Sequence, residues 1–464
     1  MNRRFFHGRA GTASGGIALL CALAAIICCG LQQHYGPLGF AGDFGGNARL
    51  IRIDPEPGEE CQWEPASAKG PLTSLFEETA ADEQKLSSPT SKRQPLRTIH
   101  DPYSAYSSVA VDTNNGEVVL TDENLFNILV YDRQANTPPS ATMTEPKRMI
   151  GGLNTKIEFQ CGLYIDPVNG DIYAVNNDTV DTLVIFSRQV RGDQPPTRQL
   201  ETPHGTFGIA VDEAAQEMYL TVQHDSAVVV YKKFAKGGDA PIRLLQGNHT
   251  RLADPHGIAL DLKSNLIFVT NHGSVHQQGA PKLPSTGKVL GKSQGKSHWP
   301  ASLDDAIPGS GRMLPPSITV YPKDASGDTP PVRVIQGPKT QMNWPTGIAI
   351  DPATEEIYVA NDGGDSILVF SPSAEGDVAP VRVIKGPKSM VKHPTGVYLD
   401  TKNHELWSAN FGNHTATVYK MDAAGDAAPL RVIRSGPLNK PVPGMGNPHP
   451  IAYDSKRQEI LVPN

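Results

Sequence analysis

Pro345-Thr346-Gly347-Ile348-Ala349-Ile350-Asp351, Glu356-Ile357-Tyr358-Val359-Ala360-Asn361, Ser366-Ile367-Leu368-Val369-Phe370 and Pro380-Val381-Arg382-Val383-Ile384 follow one another with short polar joints between them. Each run is rich in β-branched or aromatic residues and is bounded by Gly, Pro, Asp or Asn. That pattern reads as four strands, a to d, joined by turns, with Gly376-Asp377 in the joint before strand d.

The unit repeats along the chain. An Asp closes strand a at Asp112, Asp166, Asp212, Asp261, Asp351, Asp400 and Asp454, and a Pro-x-Arg opens strand d at Arg97, Arg148, Arg198, Arg243, Arg333, Arg382 and Arg431. A four-stranded unit recurring every ~50 residues is a propeller blade, because such a sheet buries its faces only against neighbouring blades. The expectation is therefore all-β, a seven-bladed β-propeller. The first Pro-x-Arg precedes the first Asp, and the last Asp follows the last Pro-x-Arg. Residues 95–99 are accordingly expected to supply an outer strand that closes the ring against C-terminal inner strands at 451–453 and 459–462, with residues 50–53 as candidate third strand. Such closure would remove two exposed edges. The interval from Asp261 to Asp351 is nearly doubled, which places an insertion at 272–316 in one loop, either disordered or a binding loop.

Composition agrees with many short strands: the 464 residues include 44 Gly and 40 Pro. The formal net charge of −6 and the lack of a basic stripe argue against nucleic acid as a partner. At the N-terminus Arg3, Arg4 and Arg9 precede an uncharged run whose apolar heart is 17–29, the order of an export signal. Residues 1–31 read as a signal peptide or a signal anchor, and an uncleaved run would hold the chain at a membrane through residues 15–31. Ile27 before Cys28 is bulky where lipidation wants a small residue. Localisation is then periplasmic or extracellular. Residues 32–94 read as a linker, and 95–464 as the propeller. Of the five cysteines only Cys61 and Cys161 lie outside the signal, and two separate thiols are preferred to one pair.

The copies at Pro394-Thr395-Gly396-Val397 with Asp400, the Asn361 and Asn410 strand ends and the Gly-Asp…Pro-x-Arg-Val-Ile hairpin resemble the NHL-repeat and lactonase-like propellers of bacterial exported proteins. The resemblance covers 95–464. It implies a channel-mouth site; related propellers include amidating lyases with zinc on channel histidines, streptogramin lyases with magnesium and gluconolactonases with carboxylate and Asn ligands.

Antiparallel pairing puts the start of strand a and the end of strand b at that mouth. Aligned on the Asp marker, the entrances are Ser107, Cys161, Phe207, His256, Thr346, Thr395 and His449; the exits are Asp122, Asn176, Val222, Asn271, Asn361, Asn410 and Asn464. The candidate ligand-binding residues are His256, His449, Asp122, Asn176, Asn271, Asn361 and Asn410, with His256 and His449 as candidate metal ligands for a divalent cation. Against this, Asn and Asp at strand ends commonly bond their own turn backbone. The marker aspartates read as turn formers, and the Pro-x-Arg arginines as bonded to nearby carbonyls or to the Gly-Asp aspartates. Glu123, Asp178, Asp225 and Asp362 lie near the exits, and His204, His224, His272 and His393 flank the strands. No Ser-His-Asp set or phosphate loop stands out. Two functions remain: a platform binding a protein, peptide or glycan, and a metal-dependent lactonase or lyase.

Overall fold

The computed structural model describes residues 103–177, 180–277, 310–436, 452–454 and 459–461. Within them the repeat forms six antiparallel four-stranded sheets and two short two-stranded ones. The blades span 106–151, 160–201, 206–246, 255–336, 345–384 and 394–434. Blade 1 shows the order: strand a is Tyr106–Asp112, b Glu117–Asp122, c Asn127–Asp132 and d Arg148–Gly151. Strands b and c, dense in Val, Ile, Leu and Tyr, are buried almost throughout, as strands sandwiched between neighbouring sheets must be.

Blade count follows from where the apolar side chains go. Six buried clusters exist, one for each interface between consecutive blades. The cluster that completes the ring joins Val109, Val118 and Tyr131 of blade 1 to Trp407, Val418 and Ile433 of blade 6. Thr395 Oγ1 also donates to the Tyr106 carbonyl oxygen at 3.2 Å, and Arg133 pairs with Glu405 at 2.7 Å.

The ring thus closes with six blades, which corrects the expected seven. Every marker Asp from Asp112 to Asp400 shares a blade with the next Pro-x-Arg, from Arg148 to Arg431, so the six described blades use six copies of each marker. Ala452–Asp454 and Glu459–Leu461 form a separate two-stranded hairpin rather than half a blade. Residues 95–99 and 50–53 lie outside the described residues, as do residues 1–31 and Cys61. Markers count sequence copies; ring membership is set by which faces pack together. Among the described residues no helix is long and apolar enough to cross a membrane.

Among the described residues each blade latches the one before it. The Gly of the Gly-Asp motif forms a parallel bridge to the preceding strand d: Ile150 with Gly192, Leu200 with Gly237, Leu245 with Gly327, Ile335 with Gly376 and Ile384 with Gly425. The following Asp commonly caps backbone N–H groups there, as Asp377 does for Lys339 at 2.7 Å. Blade 1 lacks Gly-Asp and uses Asn136-Thr137 instead. Thr137 N–H donates to Val432 at 2.7 Å, and Arg434 N–H donates to Thr137 Oγ1 at 2.9 Å.

At the channel wall the backbones meet closely. A Cβ on Gly257 would fall inside contact distance of the Thr346 carbonyl oxygen, and one on Gly396 would sit 3.0 Å from Ser108 Cα. Only glycine allows that approach.

The face where strand a ends is held by charge. Each marker Asp from Asp112 to Asp400 caps its own turn, as Asp212 does for Ala214 and Ala215, both at 3.0 Å. Several also accept a cation from the next blade: Arg188 to Asp112, Lys233 to Asp166, Lys323 to Asp212, and Arg133 of blade 1 to Asp400 of blade 6. Among the described residues the Pro-x-Arg arginines do not pair with the Gly-Asp aspartates. Four of them pair with the Glu that opens strand b of their own blade, at 2.7–3.1 Å, and two donate to carbonyls of the next blade.

Candidate functional site: the channel mouth

On the opposite face strand a begins and strand b ends, and pairing fixes the register: Tyr106 opposite Asp122, Pro255 opposite Asn271, Pro345 opposite Asn361. A register shift, a β-bulge, lies just inside each strand a. The residue after each strand b then donates its N–H to a carbonyl just before strand a. Six such bonds of 2.8–3.1 Å recur: Glu123 to Ala105, Asn177 to Phe159, Gln223 to Gly205, His272 to Asp254, Asp362 to Trp344, Phe411 to His393. Asp254, Trp344 and His393 hold positive φ of 57°, 52° and 42°, a tight reversal that lifts their side chains onto the rim.

The described strand-b exits of the sequence reading, Asn464 lying outside the described residues, are buried behind this rim. Asp122 accepts from Ala105 N–H at 2.8 Å and from Asn124 and Leu125. Asn176 accepts from Glu158 N–H and donates to Lys156 and Thr182, and Asn361 does the same with Asn343, Gln341 and Ser366. Asn271 bonds Ala253, Val269 and Thr319; Asn410 bonds Thr415 and Thr417. Their amides hold each blade's own loop. His449 and Asp178 lie outside the described residues.

Rim side chains reach the next blade instead. Cys161 Sγ donates to Glu123 at 3.4 Å, Asn177 contacts Gln223 at 3.2 Å, Gln223 Nε2 lies 3.2 Å from His256 Nε2, and His393 Nδ1 lies 2.8 Å from Asp362. His204 Nδ1 is 3.0 Å from Asp181, and its ring meets His224 edge-on at 4.9 Å.

Blade 4 carries the densest group. His256, His272 and Trp344 form a stack of rings with centroid separations of 3.4 and 5.0 Å, and Phe207 meets His256 tilted at 4.2 Å. The two histidines lie only 19° from parallel. His256 Nδ1 is 3.0 Å from the Asp254 carbonyl oxygen, which only accepts, so Nδ1 carries the proton. Nε2 therefore offers its lone pair, and the Gln223 amide donates to it. Burial lowers His256 to about 3 and holds His272 well below the ordinary imidazole value, so both rings are neutral. Burial also lifts Asp254 to about 6. Glu123, enclosed by the channel walls though still touched by solvent, rises to about 8, with the Asp122 and Asp362 charges adding to the shift.

Neutral imidazoles beside carboxylates that lack a cation among the described residues suit a positively charged or hydrogen-bonding ligand. Trp344 is 51 % exposed and Phe126 39 % exposed on the same face, adding flat apolar surface. His256 was legible from alignment on the Asp marker. Glu123, His272 and Asp362 were named beside the exits, but Gln223, Asp254 and the stack were missed, because the aligned set ends at the last residue of strand b and the rim begins one residue later.

No protein-family model matches the chain, and no curated protein matches it. Among solved structures it is similar to a hydrazine synthase from Kuenenia stuttgartiensis, at 11 % identity and a TM-score of 0.45, over 71 % of this chain and 99 % of that one. It is also similar to a chain of a nidogen/laminin complex, at 14 % identity and 0.42, over 72 % and 92 %.

Proposed function

We propose that this propeller is an exported binding platform that takes a polar ligand, carried on a protein, peptide or glycan, across its channel mouth. One observation carries the reading: the six copies repeat their scaffold residues but differ at the rim. The six equivalent rim positions hold Glu123, Asn177, Gln223, His272, Asp362 and Phe411 on an identical backbone bond. A purely structural ring would have little use for that diversity, whereas a recognition surface depends on it. Export rests on the order of charge and apolar residues in 1–31, and the NHL or lactonase-like resemblance on the repeats already quoted.

The test is capture from envelope extract and from an oligosaccharide panel. Wild type and a far-face control, Lys263→Ala, should retain the same species, and a Trp344→Ala/Asp362→Asn variant should lose it. Equal capture by all three, or none by any, sinks the platform reading. The enzyme reading, a metal-dependent lactonase or lyase, draws support from Asp254, His256 and His272. It predicts metal-dependent turnover of a lactone panel that His272→Gln abolishes.

A further inference from the structure

We infer that Asp254, His256 and His272 form a binding site for a divalent transition-metal ion of the zinc class on the blade 4 arc of the rim. Each residue offers a ligand atom, and these atoms lie within 4.8 Å of one another. Imidazole nitrogen and carboxylate oxygen together suit zinc, and three protein ligands leave a position open toward the channel.

Two further observations separate this group from an incidental cluster. His272 is only 8 % exposed, and its Nε2 is buried with no hydrogen-bond partner. A buried imidazole nitrogen left in that state is costly unless something occupies its lone pair. Second, among the described residues the Asp254 carboxylate has no Lys or Arg partner; its nearest basic nitrogen is His256 Nδ1 at 3.7 Å, which is committed to the Asp254 carbonyl. That same bond is the outer support a metal-bound histidine needs, since it fixes the tautomer with Nε2 free to coordinate. Gln223, whose amide nitrogen lies 3.2 Å from His256 Nε2, holds the place a cation would take. The Asp254 side chain is 19 % exposed, so an ion has a way in from the mouth.

An imidazole binds a metal in the plane of its ring. Rings stacked at 3.4 Å and 19° hold their lone pairs in nearly parallel planes, so binding one ion to both must turn one ring and disturb the stack on Trp344. That gives the inference an optical signature.

The inference rests on the reading of the rim as a binding surface for its place, while its test is separate. Purified full-length protein is titrated with zinc chloride alone and with cobalt chloride, following bound metal per chain, Trp fluorescence and thermal unfolding. One ion per chain, a fluorescence change absent in Trp344→Phe, and a cobalt spectrum of low-coordinate nitrogen and oxygen ligation are expected. His272→Gln and Asp254→Asn should each weaken zinc binding roughly tenfold or more, while His404→Ala, exposed on the far face, leaves it unchanged. Melting curves without metal establish that each variant folds. No stoichiometric uptake, or uptake equal in His272→Gln and wild type, overturns the site. Loss of zinc uptake with ligand capture intact defeats this inference alone; the converse defeats only the platform.

Discussion

The two faces of the ring are built from the same strands and solve opposite problems. On the far face, where strand a ends, charges meet partners: Lys233 lies between Asp166 and Glu213, both at 2.7 Å, and Arg133 ties blade 1 to blade 6. On the mouth face Glu123 and Asp254 have no cation partner among the described residues, and two imidazoles stack neutral. The first arrangement stabilises the fold. The second costs stability, and that pattern marks a site held for something else.

The waist between the faces sets the upper limit of effect. Gly257→Val drives a branched side chain into the Thr346 carbonyl of the next blade, where backbone blocks relaxation. The expected loss is on the order of 4 kcal/mol, or failure to fold, measured by denaturant unfolding. Both faces should fall together. A well-folded variant with unchanged midpoint would show that the blades are not in contact there.

Next comes the far face alone. Lys233 and Asp166 are each only 2 % exposed, so Lys233→Met leaves a buried carboxylate beside Glu213 with its cation removed. Breaking such a pair costs about 3 kcal/mol. Ligand capture and zinc uptake should survive at temperatures where the variant is folded. If Lys233→Met altered the mouth at constant fold, the separation of the faces would be wrong.

Legibility in the sequence follows the same division. Strands b and c, the turn-forming marker aspartates and the position of His256 were readable, because local period and turn chemistry dictate them. Ring size was not. Asp454 and Arg97 match the markers, yet which faces pack is decided by long-range contacts such as Val109 with Trp407, which no local pattern encodes. The cations on the marker aspartates were invisible for the same reason: Lys323 reaches Asp212 in the blade before it. At the mouth the error was one of register. Asn176 and Asn361 end their strands with side chains turned into their own loops, and the following residues, Asn177 and Asp362, face the neighbouring blade.

A smaller effect, with a sign opposite to that of the far face, belongs to Glu123. Its carboxyl rises from 4.5 to about 8, so the folded state holds a proton that the unfolded state has released. A raised folded value gives stability that is full below 4.5 and lost as pH climbs through 8. Glu123→Gln removes that loss. Its melting temperature should exceed wild type at pH 8, with the gap closing toward pH 4.5. A wild type equal or superior at pH 8 would mean that Glu123 has a cationic partner after all.

The smallest effect tests a mouth pair that behaves like the far face. His393 Nδ1 lies 2.8 Å from Asp362, and that hydrogen bond raises the imidazole above 6.5. The pair is half exposed, so His393→Ala should cost under about 1 kcal/mol. The raised value fixes the sign: the contribution is complete below pH 6.5 and disappears as pH rises through the folded value. Wild type and variant should therefore differ at pH 5.5 and converge by pH 9, with the difference shrinking in high salt. A gap that persists at pH 9 would make His393 a packing residue, leaving the mouth with no ion pair of the far-face kind at this position.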